Sequence, residues 1–177
     1  MDHQDGTADG VPVRVCAVLV DPDGRICVIR RHRPGGVQHS LPGGLLADGE
    51  QPTGALHREL REELGLDLAA ADVDPAPRFE QHQATTRPGR DGLFRRRHLV
   101  HVVHLPQALV EDVALVELDA ADTTEVLWLP PADLVGTHLY PDVGEHLVDA
   151  VTVQAPPVAA APVRLLPAMT DATFRWR

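Results

Sequence analysis

Lysine is absent from this chain: all 16 basic residues among its 177 are arginines. Arginine suits forked recognition of phosphate, but the abundance of Ala, Pro, Val and Asp points equally to a GC-rich genome, so the absence says little about ligands. Aromatic residues make up only 3% of the chain, which leaves few rings to stack on a base. Phe79, Phe94 and Trp128 are the candidates, each with core burial as its competing explanation. The two cysteines, Cys16 and Cys27, sit in apolar runs without a CxxC pattern, so buried free thiols are expected. No apolar run reaches the roughly 20 residues that a membrane span needs. The opening, MDHQDGTADG, is acidic and polar, unlike a secretory leader. Together these absences predict a soluble cytoplasmic protein with no membrane partner. A net charge of −10 argues against a nucleic-acid polymer as partner. A small nucleotide stays open, because bound cations offset an acidic site.

What is present suits one domain with a modest extension: hydrophobic content is 44%, ordinary for a globular core. Residues 1–10 read as a disordered leader, 11–154 as the folded domain, and 155–177 as a Pro/Ala-rich linker followed by a C-terminal extension. Val13 to Val20 and Arg25 to Arg30 are apolar, β-branched runs around the turn residues Asp21-Pro22-Asp23-Gly24, which predicts two antiparallel strands. His32 to Ser40 reads as a glycine-bearing loop. Further strands are expected at Arg78–Gln83, Phe94–Leu105, Asp112–Leu118 and Glu125–Pro130, with a helical turn at Pro131–Leu134 and a helix over Pro141–Val151. The terminal segment Arg164–Arg177 carries Leu165, Leu166, Phe174 and Trp176. That is too apolar for a plain tail, and docking on its own domain, docking across a dimer and fraying are all open.

One stretch organises the rest. From Gly44 to Leu66 the chain reads GLLADGEQPTGALHRELREELGL. Proline suits the first helical turn and Gly65 the left-handed stop, so a helix is predicted from about Pro52 to Leu64. On it Leu56, Leu60 and Leu64 form an apolar stripe, and Glu59, Glu62 and Glu63 share an adjoining arc. Like charges at these spacings repel. A hard divalent cation such as Mg²⁺ or Mn²⁺, which takes carboxylate oxygens, turns that repulsion into a site. The competing explanation is a solvated acidic face.

The spacing decides between them. Gly44, five residues, Glu50, seven residues, then Arg58-Glu59-Leu60-Arg61-Glu62-Glu63-Leu64-Gly65-Leu66 resembles the signature of the Nudix hydrolases. The resemblance implies an α/β fold, the Nudix α/β/α sandwich with a mixed β-sheet. It implies a Mg²⁺-dependent pyrophosphohydrolase, with Mn²⁺ as substitute, acting on a nucleoside diphosphate linked to a further group. By the family pattern Glu59, Glu62 and Glu63 are metal-binding carboxylates, Arg58 orients them, Glu50 supports the site or the metal, and the Gly43 carbonyl is a further ligand. Glu59, Glu62 and Arg58 are the catalytic candidates, and Glu59, Glu62 or an acid from the late loop is the general base.

Outside the signature the reading is coarser. Arg31, Arg33 and His39 border the expected pocket, while Arg87, Arg90, Arg95, Arg96 and Arg97 crowd one hairpin. Those five arginines either clamp substrate phosphates or keep an edge strand from pairing. Asp122 and Glu125 match the place where relatives add an acidic side chain. Arg31, Arg33, His39, Arg97 and Glu125 are therefore the substrate-contact candidates. His98, His101 and His104 cannot converge on one ion, since their spacing puts neighbours on opposite faces of a strand. The patterns of the coenzyme A, NADH and ADP-ribose subgroups are missing, which leaves a (d)NTP or oxidised nucleotide as the leading substrate. An ADP-ribose or nucleotide-sugar pyrophosphatase is the alternative, and so is a regulatory Nudix domain that binds nucleotide without cleaving it. A homodimer is compatible with either.

Overall fold

The structure, a computed structural model, describes residues 10–71, 73, 75–119, 123–152 and 162–177. The expected leader up to residue 9, most of the linker, and Asp122 lie outside the described residues.

The strands are β1 (Val13–Val20), β2 (Ile26–Arg33), β3 (Gly36–Ser40), β4 (Gly43–Leu45), β5 (Ala76–Thr85), β6 (Phe94–His104), β7 (Thr124–Leu129), β8 (Leu139–Tyr140), β9 (Arg164–Leu165) and β10 (Met169–Thr170). The helices are α1 (Pro52–Leu64), α2 (Gln107–Asp112), α3 (Pro131–Leu134) and α4 (Gly144–Thr152). One mixed sheet runs β10-β5-β6-β1-β2-β3-β8, with β4 added to β1, β7 to β2 and β9 to β5. β1 pairs parallel with β6 and antiparallel with β4.

Side chains alternate across the sheet, so each strand serves two cores. Val15, Ala17 and Leu19 of β1 face the α1 side with Leu56, Leu60 and Leu64. Cys16, Val18 and Val20 face the other side with Leu134 of α3 and Leu147 of α4. Helices therefore cover both faces, as the expected sandwich requires. Burial on both faces is also why β1 reads as an unbroken apolar run. Cys16 and Cys27 are buried free thiols, and burial pushes Cys16 up to about 11.

Three sequence expectations are corrected. The predicted loop at His32–Ser40 is a hairpin: β2 continues to Arg33 and pairs with β3 from Gly36. Ladder hydrogen bonds override the turn-forming composition there. The predicted strand at Asp112–Leu118 does not form. Ala114 N–H instead donates to the Leu64 carbonyl at 3.0 Å and Leu118 N–H to the Glu63 carbonyl at 2.8 Å, satisfying carbonyls that the end of α1 leaves without partners. Finally, the hairpin of β5 and β6 exposes no free edge at β5, because the C-terminal segment covers it. Phe79 and Glu80 pair with Arg164 and Leu165, and Gln83 and Ala84 with Met169 and Thr170.

The C-terminal segment thus docks on its own chain. Leu166, Met169 and Phe174 are buried, and Arg177 reaches the Val37 carbonyl at 3.0 Å. His138 lies 2.6 Å from the Arg175 carbonyl. The segment is a strap that runs from β5 to β3.

Candidate active site

The site begins at the turn into α1. Pro52 occupies the first turn, and Gly65 closes the helix in the left-handed conformation, φ 66°. Gly65 N–H donates to Arg61 and Leu66 N–H to Leu60, the paired bonds that end a helix tightly. Leu56, Leu60 and Leu64 are fully buried, so the rotation of the helix is fixed. Consequently the glutamate arc points along the line where α1 meets β4.

Arg58 organises that line. Its guanidinium grips Glu50 through Nε and Nη2, both at 3.0 Å, reaches Glu59 at 2.6 Å and Glu62 at 3.4 Å, and caps the Leu45 carbonyl at 3.1 Å. The bidentate grip holds the Glu50 carboxyl below its ordinary range. Glu50 also accepts from Ala47 N–H at 3.0 Å, which fixes the loop before the helix. Glu59 lies flat against Gly44: a Cβ on that glycine would stand 2.2 Å from the Glu59 Cδ.

Glu63 is set deeper. Gly43 N–H donates to its carboxylate at 2.7 Å. Burial pushes the Glu63 carboxyl up to about 8, with Glu117 and Glu59 adding to the rise while Gly43 and Arg14 oppose it. Gly43 itself is pinned against β1, with φ 141°, where a Cβ would stand only 2.1 Å from the Val15 carbonyl. Its carbonyl accepts from Arg14 Nη2 at 3.0 Å, as does that of Leu41.

A further acid joins the group. Glu117 is buried and ion-paired with Arg31, which also donates to the Ser40 hydroxyl. The turn that seals the end of α1 carries Glu117 to this position, and Glu117 N–H is tied to the Thr124 hydroxyl at 3.0 Å.

The model of the family described as NUDIX domain matches residues 10–149. The chain belongs to the Nudix family. It is a Nudix hydrolase. A mutator MutT protein from Bacillus halodurans is 14% identical over 92% of this chain and 93% of its own, with a TM-score of 0.60. A MutT protein from Methanosarcina mazei is 18% identical over 81% and 96%, TM-score 0.55. A mutT/nudix family protein from Listeria innocua is 21% identical over 78% and 90%, TM-score 0.55. At these identities the likeness is one of fold. No curated protein matches the chain.

In this Nudix domain the structure brings together Gly43, Glu50, Arg58, Glu59, Glu62 and Glu63. Of the five substrate-contact candidates, Arg31 joins them through Glu117. Arg33 ends β2 exposed. His39 and Glu125 both register with Arg30, on the α4 side of the sheet; Glu125 is ion-paired to Arg30. Arg97 is held by Glu80 at 2.7 and 3.0 Å. Phe79 is buried in the core on the α4 side of the sheet, and Trp128 packs against the core on the α1 side. Sequence reasoning missed Glu117 and Arg14. Neither carries a local signal, since each reaches the site only through long-range contacts.

Nudix hydrolases generally use divalent metals, and the donor set here is suitable. It is all oxygen, as hard cations require. The Gly44 cradle holds one carboxylate in place, and Glu63 is a desolvated acid that an adjacent cation favours ionised. Among the described residues, no three acidic, histidine or cysteine side chains already form a closed cage; Arg58 draws Glu59 and Glu62 toward itself instead.

Proposed function

We propose that this Nudix hydrolase is a Mg²⁺-dependent pyrophosphohydrolase of nucleoside diphosphate derivatives, with a (d)NTP or oxidised nucleotide as substrate. The observation that carries the reading is the grip of Arg58 on Glu50, Glu59 and Glu62 beside the buried Glu63. Three carboxylates share one guanidinium, and a fourth, Glu63, lies buried beside them. That excess of negative charge is stable only with a cation or a proton, and it suits a metal-assisted displacement at phosphorus.

Bound Mg²⁺ supplies Lewis-acid polarisation of the phosphoryl oxygens and lowers the pKa of the attacking water. Glu59, Glu62 and Glu63 would hold the ion, with the Gly43 carbonyl as a further oxygen. Arg58 keeps the carboxylates oriented, and Glu50 fixes Arg58. In this reading Glu59 or Glu62, or an acid from the late loop, takes the proton from water. Glu62, with a side chain 55% exposed, is reached directly from solvent. Gly43 N–H and its buried Glu63 partner keep the floor of the site rigid, so that positioning carries much of the rate.

The test is product-resolved hydrolysis of (d)NTPs, 8-oxo-dGTP, ADP-ribose, NADH, diadenosine polyphosphates and nucleotide sugars, with Mg²⁺ and with EDTA. The reading expects (d)NTP or oxidised-dNTP cleavage that EDTA abolishes, and a loss of at least ~10²-fold in turnover for Glu62→Gln and for Glu63→Gln. Cleavage of ADP-ribose or a nucleotide sugar alone transfers the assignment to that class. Binding without cleavage of any member makes the domain a regulatory one.

A further inference from the structure

Four of the six aromatic residues, Phe94, Tyr140, Phe174 and Trp176, converge from distant parts of the chain. Trp176 is the hub, with ring centroids 5.4 Å from Phe94, 5.2 Å from Tyr140 and 5.3 Å from Phe174. Core formation does not account for the gathering, because Phe94, Tyr140 and Trp176 stay only partly buried. Guanidinium groups cover them instead. Arg87 lies 3.6 Å from the Phe94 centroid and 4.4 Å from that of Trp176, and Arg96 lies 4.2 Å from Phe94. Stacking of this kind fixes the guanidinium plane while its N–H edges stay available for an anion.

Two clefts share Arg87 as a wall. One, of about 440 Å³, is lined by Arg87, Arg90, Phe94, Arg95 and Arg96 together with Asp91; the other, of about 430 Å³, includes Arg175 and Trp176. Asp171 beside the second is bound by the backbone and hydroxyl of Thr86. Among the described residues, Arg87, Arg90 and Arg95 form no ion pair. On a chain of net charge −10, a cluster of uncompensated arginines focuses anions. Protection of a strand edge does not explain it, since β5 is covered by the strap and β6 lies inside the sheet.

The cleft is coupled to the carboxylates in two ways. Pro12 lines it, and its carbonyl accepts from Arg97 N–H; Val13, the next residue, accepts from Leu46 N–H, and Leu45 accepts from Arg58. At about 4.8 Å per strand, two strand spacings separate the cleft from the β4 line. A row of side chains also joins them. Arg14 donates to the Gly43 carbonyl and lies 5.2 Å from the Tyr140 ring, which touches Trp176. Among the described residues Arg14 Nη1 is buried without a hydrogen-bond partner, a donor left over along that row.

We propose that this arginine–aromatic cleft, closed by the C-terminal strap, is an anion subsite for the terminal phosphates of a nucleoside polyphosphate whose cleaved bond lies at Glu59 and Glu63. The proposal rests on the hydrolase reading above and narrows it: the substrate is a polyphosphate rather than a sugar-capped diphosphate. Arg87, Arg90 and Arg95 bind the terminal phosphates, and Trp176 holds Arg87 in its stacked plane.

Trp176 reports the test. In the full chain carrying Trp128→Phe, Trp176 is the remaining tryptophan, and its fluorescence is followed while inorganic tripolyphosphate is added in EDTA, which keeps metal out of the carboxylate site. A saturable change is expected, weakened at least about tenfold by Arg87→Gln and by Arg95→Gln, since a hydrogen bond between charged groups is worth that much. Arg90→Gln, at an exposed turn position, weakens it as well. With Mg²⁺ and a nucleoside triphosphate, the same variants raise KM more than they lower kcat. Unchanged binding in all three variants overturns the proposal, as does a response to single-stranded oligonucleotide that tripolyphosphate cannot displace. Glu62→Gln keeps the fluorescence response. A normal response with no hydrolysis of any substrate would therefore remove the hydrolase reading and leave the anion subsite standing.

Discussion

A methyl group on Gly44 would stand 2.2 Å from the Glu59 Cδ, so Gly44→Ala forces that carboxylate out of its cradle while the backbone keeps its conformation. Turnover is expected to fall by about 10²-fold, the effect of an ångström-scale misplacement, with the unfolding midpoint nearly unchanged. Gly43→Ala differs in kind. Its obstacle is the Val15 carbonyl of a central strand, and its φ of 141° excludes most side chains, so at least about 1–3 kcal/mol of stability is lost as well. Comparing urea unfolding with kcat in the two variants separates the effects.

His98 carries a pH prediction at the same scale. It is buried against Gln83 and edge-on to Tyr140, and burial holds its pKa well below the ordinary 6.5, with Arg14 and Arg96 adding to the depression. In the unfolded chain His98 takes up its proton near pH 6.5, whereas the folded form resists it. Its contribution to stability is therefore complete above pH 6.5 and lost as pH falls below that value. His98→Gln flattens this limb of the stability–pH curve, as measured by urea unfolding at successive pH values. An unchanged slope would mean that other groups set it. At this scale the sequence was legible where one element supplies the chemistry: Glu59, Glu62 and Glu63 share a helix, and their spacing shows it. Glu117, Arg14 and Trp176 were not legible as site residues, because only tertiary contacts carry them there.

Among the elements, α1 was readable to its ends. Its leucine stripe, its proline start and its glycine stop agree on Pro52–Leu64, and such agreement between local and global preference is what makes an element legible. The segment 113–118 shows the opposite. Its apolar content suggests a strand, yet it meets β7 through only one backbone bond, Val126 N–H to the Leu115 carbonyl, while its Ala114 and Leu118 N–H groups close the end of α1. Helix and seal are thus one unit, and the helix rotation that aims the carboxylates depends on buried leucines. Leu60→Ala is expected to cost about 2–5 kcal/mol. It should also raise the Mg²⁺ concentration needed for half-maximal rate, because a loosened helix presents its glutamates less rigidly. Equilibrium unfolding and a Mg²⁺ titration of activity check the two parts separately.

At the scale of the whole molecule, the strap decides where the domain ends. The Nudix match stops at residue 149, yet Leu166, Met169 and Phe174 beyond it are buried, and β9 and β10 cover the outer strand β5. Sequence composition marked this segment as too apolar for a tail but could not show its partner, because docking on the same chain and on a second copy bury the same residues. Each of the three buried side chains contributes about 1.5–3 kcal/mol, and a domain of this kind has about 5–15 kcal/mol in total. Deleting residues 162–177 is therefore expected to remove about 5 kcal/mol and to leave the edge of β5 open to pairing with another chain. Urea unfolding reads the first effect and light scattering during expression and refolding reads the second. A truncated protein within about 1 kcal/mol of the full chain, and monomeric, would show that the strap is dispensable to the fold. Its packing around Arg87 would then be accounted for by ligand binding alone.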